Sequence, residues 1–141
     1  MIEERKQLRV FVVDDEEVIS SSLAMILRLH GGLHATAFMD PLKALELAPF
    51  EVPDLLISDV MMPELSGIDL AIQVRRLCPN CKVLLFSGHA ATAHSLKDAR
   101  EKGYAFEFLL KPVHPADLLA KIQSLSEDAQ PFLAHERGPG K

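Results

Sequence analysis

The sequence predicts an α/β protein, a parallel sheet wound on both faces by helices. Three observations predict it. Five short apolar runs alternate with segments of helical periodicity, and a repeated βα pattern implies a parallel sheet covered on both sides. The runs at Val10–Val13, Leu55–Ser58 and Val83–Phe86 are nearly continuous in apolar character, as strands buried on both faces are. Four of the five runs also end in a residue capable of chemistry: Asp14 and Asp15, Asp59, Ser87, and Lys111. In open α/β sheets the ligand crevice lies at the carboxyl ends of the strands.

Each element follows in order. Leu8–Val13 is the first strand, and Asp14, Asp15 and Glu16 lie between it and a helix. Acidic side chains suit a helix N-terminus, so capping accounts for one or two of these acids. Ile19, Leu23, Ile26 and Leu27 form the apolar stripe of that helix, which stops at Gly31-Gly32. His30 and His34 flank the turn as surface residues. Leu33–Phe38 is the second strand. Asp40 then caps a short helix that begins at Pro41 and ends near Pro49. Leu55–Ser58 is the third strand and delivers Asp59. A loop, Val60–Ser66, closes at Gly67, where a helix starts and runs to about Cys78. Lys82–Phe86 is the fourth strand, followed by the Ser87-Gly88-His89 loop and a helix from about Thr92 to Lys102. Phe106–Leu110 is the fifth strand. The last helix starts near Pro115 and buries Leu118, Ile122 and Leu125.

Composition narrows the functional classes. A chain of 141 residues is one domain's length and can bury a core without disulfide or metal staples. A net charge of −5 argues against a nucleic-acid-binding surface, which needs a basic patch. No apolar run approaches the about 18 residues needed to span a bilayer, and the polar start MIEERKQ does not resemble a signal peptide. The expected compartment is the cytoplasm. Cys78-Pro79-Asn80-Cys81 forms a C-x-x-C. A redox pair or half a zinc site is one reading; two ordinary thiols at a helix-to-strand turn is the other. The pair closes a helix, whereas an activated thiol gains from a helix N-terminus, and no further zinc ligands stand near it. The ordinary reading is preferred.

The strand-end residues make a chemical set. Carboxylates converging on one point repel, so one takes a proton or a cation sits among them. Ligation by oxygen alone suits a hard cation, Mg²⁺ or Mn²⁺. A carboxylate can also attack phosphorus and form an aspartyl-phosphate, a transfer assisted mainly by positioning and charge stabilisation. A lysine ammonium, a serine hydroxyl and loop N–H groups supply that stabilisation. Taken singly, Lys111 is a surface lysine, Ser87 a turn residue and a strand-end Asp a helix cap. Taken together they ask for a joint explanation.

The segments VVDDEE (12–17), LLISDVMMP (55–63), LLFSGHA (84–90) and FLLKP (108–112) resemble the response-regulator receiver domain, the phosphoacceptor module of two-component signalling. The resemblance covers roughly residues 8–126. It implies a flavodoxin-like (βα)5 fold with strand order 2-1-3-4-5. It implies that Asp59 is the phosphoacceptor, assisted by Lys111 and Ser87. Asp15 and Asp59 would bind the cation directly, Asp14 through water, and Met61 through its backbone carbonyl. Lys111–Pro112 resembles the family's cis peptide. Phe108 falls at the aromatic switch position and Ser87 is its hydroxyl partner; permanent core packing is the rival role for Phe108, since aromatics in strands are usually packing residues. Met61 and His89 fall where the family tunes the lifetime of the phosphorylated state, and for His89 a plain solvent-facing loop position is the rival.

The resemblance implies an arm at 1–7, a receiver at 8–126 and a flexible tail at 127–141, too short for an effector domain. The implied function is to accept a phosphoryl group from a phosphohistidine on a sensor histidine kinase or a histidine phosphotransfer protein, and to switch a surface for a downstream protein. Recognition of the phosphodonor would fall near the first helix. No direct nucleic-acid or membrane contact is expected, and the chain is expected to be a monomer or weak dimer rather than a classical enzyme. Two alternatives stand beside this. A magnesium-dependent phosphatase with an aspartate nucleophile would place D-x-D after a single strand, whereas here the acids come from two strands. A non-phosphorylated pseudo-receiver would be expected to lack Asp15, Asp59 or Lys111, and none is missing.

Overall fold

The computed structural model describes residues 7–88 and 91–125, with the side chains of 91–93 left aside. Five parallel strands, β1 (Arg9–Val13), β2 (His34–Phe38), β3 (Leu55–Asp59), β4 (Lys82–Ser87) and β5 (Glu107–Leu110), form one sheet in the order β2-β1-β3-β4-β5. The helices are α1 (Glu17–Gly31), α2 (Pro41–Leu47), α3 (Gly67–Leu77) and α4 (Ala91–Glu101), with α5 at 115–125. This is the doubly wound, flavodoxin-like arrangement. Among the described residues no helix is long and apolar enough to cross a membrane.

Side chains alternate across each strand, so one sheet serves two cores. Phe11, Leu56, Val83 and Leu85 face α2, α3 and α4. Val10, Val12, Ile57 and Leu84 face α1 and α5, against Leu27, Leu118 and Ile122. Most of these side chains are wholly buried, and truncating a buried leucine to alanine costs about 2–5 kcal/mol. The stripe expected on α5, Leu118, Ile122 and Leu125, is buried throughout.

Element ends follow local chemistry. Asp40 accepts a hydrogen bond from the Leu42 N–H at 2.9 Å, with Pro41 in the first turn of α2. Ser66 caps α3 by accepting from the Asp69 N–H at 3.1 Å. Gly32 closes α1 with φ of 64°, a left-handed conformation that glycine adopts without a Cβ penalty.

Helix α1 corrects one expectation. Its fully buried residues are Ser20, Ala24 and Leu27, while Ile19 is 38% exposed and Leu23 and Ile26 are half-buried. The helix meets the sheet through two small side chains, and the larger apolar ones flank that seam. The fifth strand begins one residue later than expected; Phe106 is buried ahead of it and stacks on Tyr104 at 5.8 Å. Cys78 and Cys81 are free and buried. Burial pushes both thiols up, Cys81 to about 12. A thiol so rarely ionised is a poor nucleophile, which agrees with the structural reading of this pair. The expected arm at 1–7, apart from Gln7, and the expected tail at 127–141 lie outside the described residues.

Candidate functional site

The sheet order places the site. From β1 the chain winds one way to β2 and then the other way to β3, so the two central strands open a crevice at their carboxyl ends. Val13 pairs with Ser58, and Asp59 with Phe86. Asp14 and Asp59 therefore emerge side by side. Carboxylate oxygens of Asp14, Asp15 and Asp59 lie within 4.8 Å of one another. Asp14 and Asp59 are buried and Asp15 is more open.

Lys111 reaches this cluster from the end of β5. Its Nζ lies 3.1 Å from Asp59 Oδ1, and its backbone N–H donates to the Ser87 carbonyl at 2.9 Å. The Lys111–Pro112 peptide is cis. Ser87 itself is buried at the end of β4. Asp14 Oδ1 accepts from the Glu16 N–H at 2.9 Å, while Asp14 Oδ2 is buried and finds no hydrogen-bond partner among the described residues. Burial pushes the Asp14 carboxyl above its ordinary 3.8. The charges of Asp59 and Asp15 add to that rise, and the Glu16 N–H and Lys111 oppose it.

An oxygen-only donor set with a buried, unpartnered carboxylate oxygen fits a hard divalent cation. Among the described residues a single ammonium, Lys111 Nζ, pairs with Asp59, which leaves the three acids under-compensated. The fit rests on this chemistry and on the closeness of the oxygens.

The other expected residues are placed as follows. Met61 lies in the loop after β3 with its side chain 59% exposed. Phe108 is 43% exposed, so it is not a core residue in this structure. It pairs with Leu85, two residues before Ser87, and shares a sheet face with it. His89 lies outside the described residues. Three contributors were not singled out from sequence: the Glu16 N–H that holds Asp14, the Ser58 hydroxyl, and Gly67. A serine among the aliphatic residues of β3 was the available signal for Ser58.

Residues 10–123 match the family described as the response regulator receiver domain, and the chain belongs to this family. Over 117 residues it is 35% identical to the transcriptional regulatory protein PdtaR of Mycobacterium tuberculosis, covering 82% of this chain and 55% of that protein. Over 137 residues it is 32% identical to the DNA-binding transcriptional regulator NtrC of Escherichia coli, covering 92% of this chain and 28% of that one. The chain thus spans about half or less of the length of these relatives. Among solved structures, a CheY-like response regulator receiver domain protein from Methanospirillum hungatei superposes with a TM-score of 0.80 at 25% identity. That match covers 90% of this chain and 99% of the other. Membership of the family implies two-component phospho-signalling, and its domains generally bind Mg²⁺ at an acidic pocket.

Proposed function

We propose that residues 8–126 form a receiver that accepts a phosphoryl group from a phosphohistidine onto Asp59. The observation that carries this reading is the convergence of Asp14, Asp15 and Asp59 with the Lys111 ammonium 3.1 Å from Asp59 Oδ1. An Asp59 carboxylate oxygen attacks the phosphorus. A P–O bond forms, the P–N bond to the donor histidine breaks, and its electron pair returns to the imidazole nitrogen. Lys111 is placed to stabilise charge on one transferring oxygen, and the Ser87 hydroxyl on another. Asp15 and Asp59, Asp14 through water and the Met61 carbonyl would hold Mg²⁺ or Mn²⁺. When bound, the cation supplies charge neutralisation at the crevice.

The donor, a sensor histidine kinase or histidine phosphotransfer protein, has a surface suited to it. A groove of about 580 Å³ beside Lys111 is lined by Ile19, Leu23, Pro112 and Val113, and Val18 is 76% exposed at its rim. The displaced apolar flank of α1 thus lies next to the reacting carboxylate. Output follows from Ser87 and Phe108. A phosphoryl group on Asp59 draws the Ser87 hydroxyl inward, and the exposed Phe108 ring turns into the space released. That changes the α4–β5–α5 surface for a downstream protein partner. The domain acts in the cytoplasm as a monomer or weak dimer, without direct contact to nucleic acid or membrane, and is a signalling module rather than a classical enzyme.

Incubation with a small phosphodonor and Mg²⁺, read by intact mass, tests the assignment. The wild type gains one phosphoryl group and Asp59→Asn gains none. Continuous turnover of the donor would instead indicate a phosphatase, and no gain in the wild type a pseudo-receiver.

A further inference from the structure

The peptide plane that follows Asp59 is held at both ends. At its N–H end, Val60 donates to the Phe86 carbonyl of the neighbouring strand at 3.1 Å. At its carbonyl end, the hydroxyl of the fully buried Ser58 donates to the Asp59 oxygen at 2.9 Å. The first residue of α3 closes on the same carbonyl. Gly67 is buried, and its N–H donates to the Val60 carbonyl at 2.9 Å. A Cβ on Gly67 would overlap the Asp59 carbonyl oxygen and come within 2.9 Å of its carbon and 3.0 Å of Ser58 Oγ. These neighbours are backbone and a packed hydroxyl, so nothing flexible is available to yield.

Ser58 stands where alternation puts an aliphatic residue, on the face it shares with Leu56. A peptide unit is planar and stiff. Its orientation sets the direction in which the Met61 loop leaves, and it fixes the Cα from which the Asp59 carboxylate reaches Lys111. The side chain of Asp59 adds only two torsions to that anchor.

We propose that Ser58 and Gly67 are positioning residues that clamp the Asp59–Val60 peptide plane, and so hold the Asp59 carboxylate and the loop beyond it in register with Lys111 and the other two acids. The proposal rests on the receiver reading of Asp59. Neither residue touches the reacting atoms. Ser58 acts through a hydrogen bond, and Gly67 through the close approach that only a hydrogen at its α-carbon permits.

The test uses the full chain and four proteins: wild type, Ser58→Ala, Gly67→Ala and Leu56→Ala. Leu56→Ala is a destabilised control on the same strand and face. All are studied well below their melting midpoints, by calorimetric titration with Mg²⁺ and by the rate of phosphorylation with a small phosphodonor across Mg²⁺ concentrations. Misplacement of a reacting group by about 1 Å costs on the order of 10²-fold in rate, and Gly67→Ala is expected to approach that loss, with weaker Mg²⁺ binding. Ser58→Ala should lose several-fold in both readouts, on the order of the weakening from one lost hydrogen bond. Leu56→Ala should keep wild-type values in both. If Gly67→Ala does not fold, Ser58→Ala decides the matter. Wild-type values in Ser58→Ala, or equal losses in Leu56→Ala, overturn the proposal. A wild type that binds Mg²⁺ but takes no phosphoryl group overturns the receiver reading instead, and Mg²⁺ affinity then still decides the clamp.

Discussion

Asp14 is the residue whose environment is most at odds with its charge. It is buried beside two other acids, and one of its oxygens lacks a partner among the described residues. Its folded-state pKa is raised above 3.8, chiefly by burial. The folded state therefore holds this proton to higher pH than the unfolded chain, and stability falls as pH rises through that window. Below 3.8 the carboxyl is protonated in both states and the penalty vanishes. Asp14→Asn should accordingly melt above the wild type in chelator at neutral pH, with the gap closing on acidification. Melting curves from pH 3 to 7 check this; a gap that widens in acid would refute it. A second residue-scale expectation concerns the phosphorylated lifetime. The Met61 side chain is exposed and offers the attacking water no useful hydrogen bond, so Met61→Asn should hydrolyse faster. A free imidazole changes protonation near pH 6.5, and general-base assistance by a positioned side chain is worth roughly 10²–10⁴-fold. Decay rates from pH 5.5 to 8.5 should be slower and flatter in His89→Ala; a profile overlaying wild type would remove that role. Asp14, Asp59 and Lys111 stand out in the sequence because each closes a strand-like run, and Asp15 because it adjoins Asp14. Ser58 and Gly67 do not, because their importance lies in what approaches them.

At the scale of elements, α3 bears most directly on the site, since its first residue packs on the Asp59 carbonyl. The Ser66 hydroxyl caps that turn by accepting from the Asp69 N–H. Losing such a cap costs about 0.5–2 kcal/mol, so Ser66→Ala should lower unfolding free energy by that amount in a urea titration at unchanged slope. A changed slope would mean that more than the cap was lost. Helix α1 shows the limit of periodicity. A 3.6-residue repeat identified the helix and its apolar side but not its rotation, because Ser20 and Ala24 allow an approach to the sheet that bulkier residues would prevent. Ile19 and Leu23 then line the groove beside Lys111. The same displacement that defeats the stripe leaves these side chains on the surface proposed above for the phosphodonor.

Across the whole molecule, Asp14 and Asp15 come from the segment after β1 and Asp59 from the end of β3, so the acid cluster proposed to hold the cation is assembled only when the sheet is. A ligand that binds only the folded state stabilises it by mass action, by about 2.7 kcal/mol at a hundred times its dissociation constant. Mg²⁺ should therefore raise the melting temperature of the wild type, and Asp15→Ala should lose most of that rise. Equal shifts in the two proteins would place the ion elsewhere. The alternation of apolar runs and helical periods determined the α/β class by itself, because strand and helix periods are local properties of the chain. The strand-end positions of Asp14, Asp59, Ser87 and Lys111 are local as well, and in a parallel sheet they must share one edge. Tertiary structure alone decided the rest: that Ser20 rather than Ile19 meets the sheet, that Phe108 stands partly in solvent, and that α3 closes on the Asp59 carbonyl through Gly67. Those outcomes depend on how closely two layers approach, and that distance is set by the small residues of both layers at once.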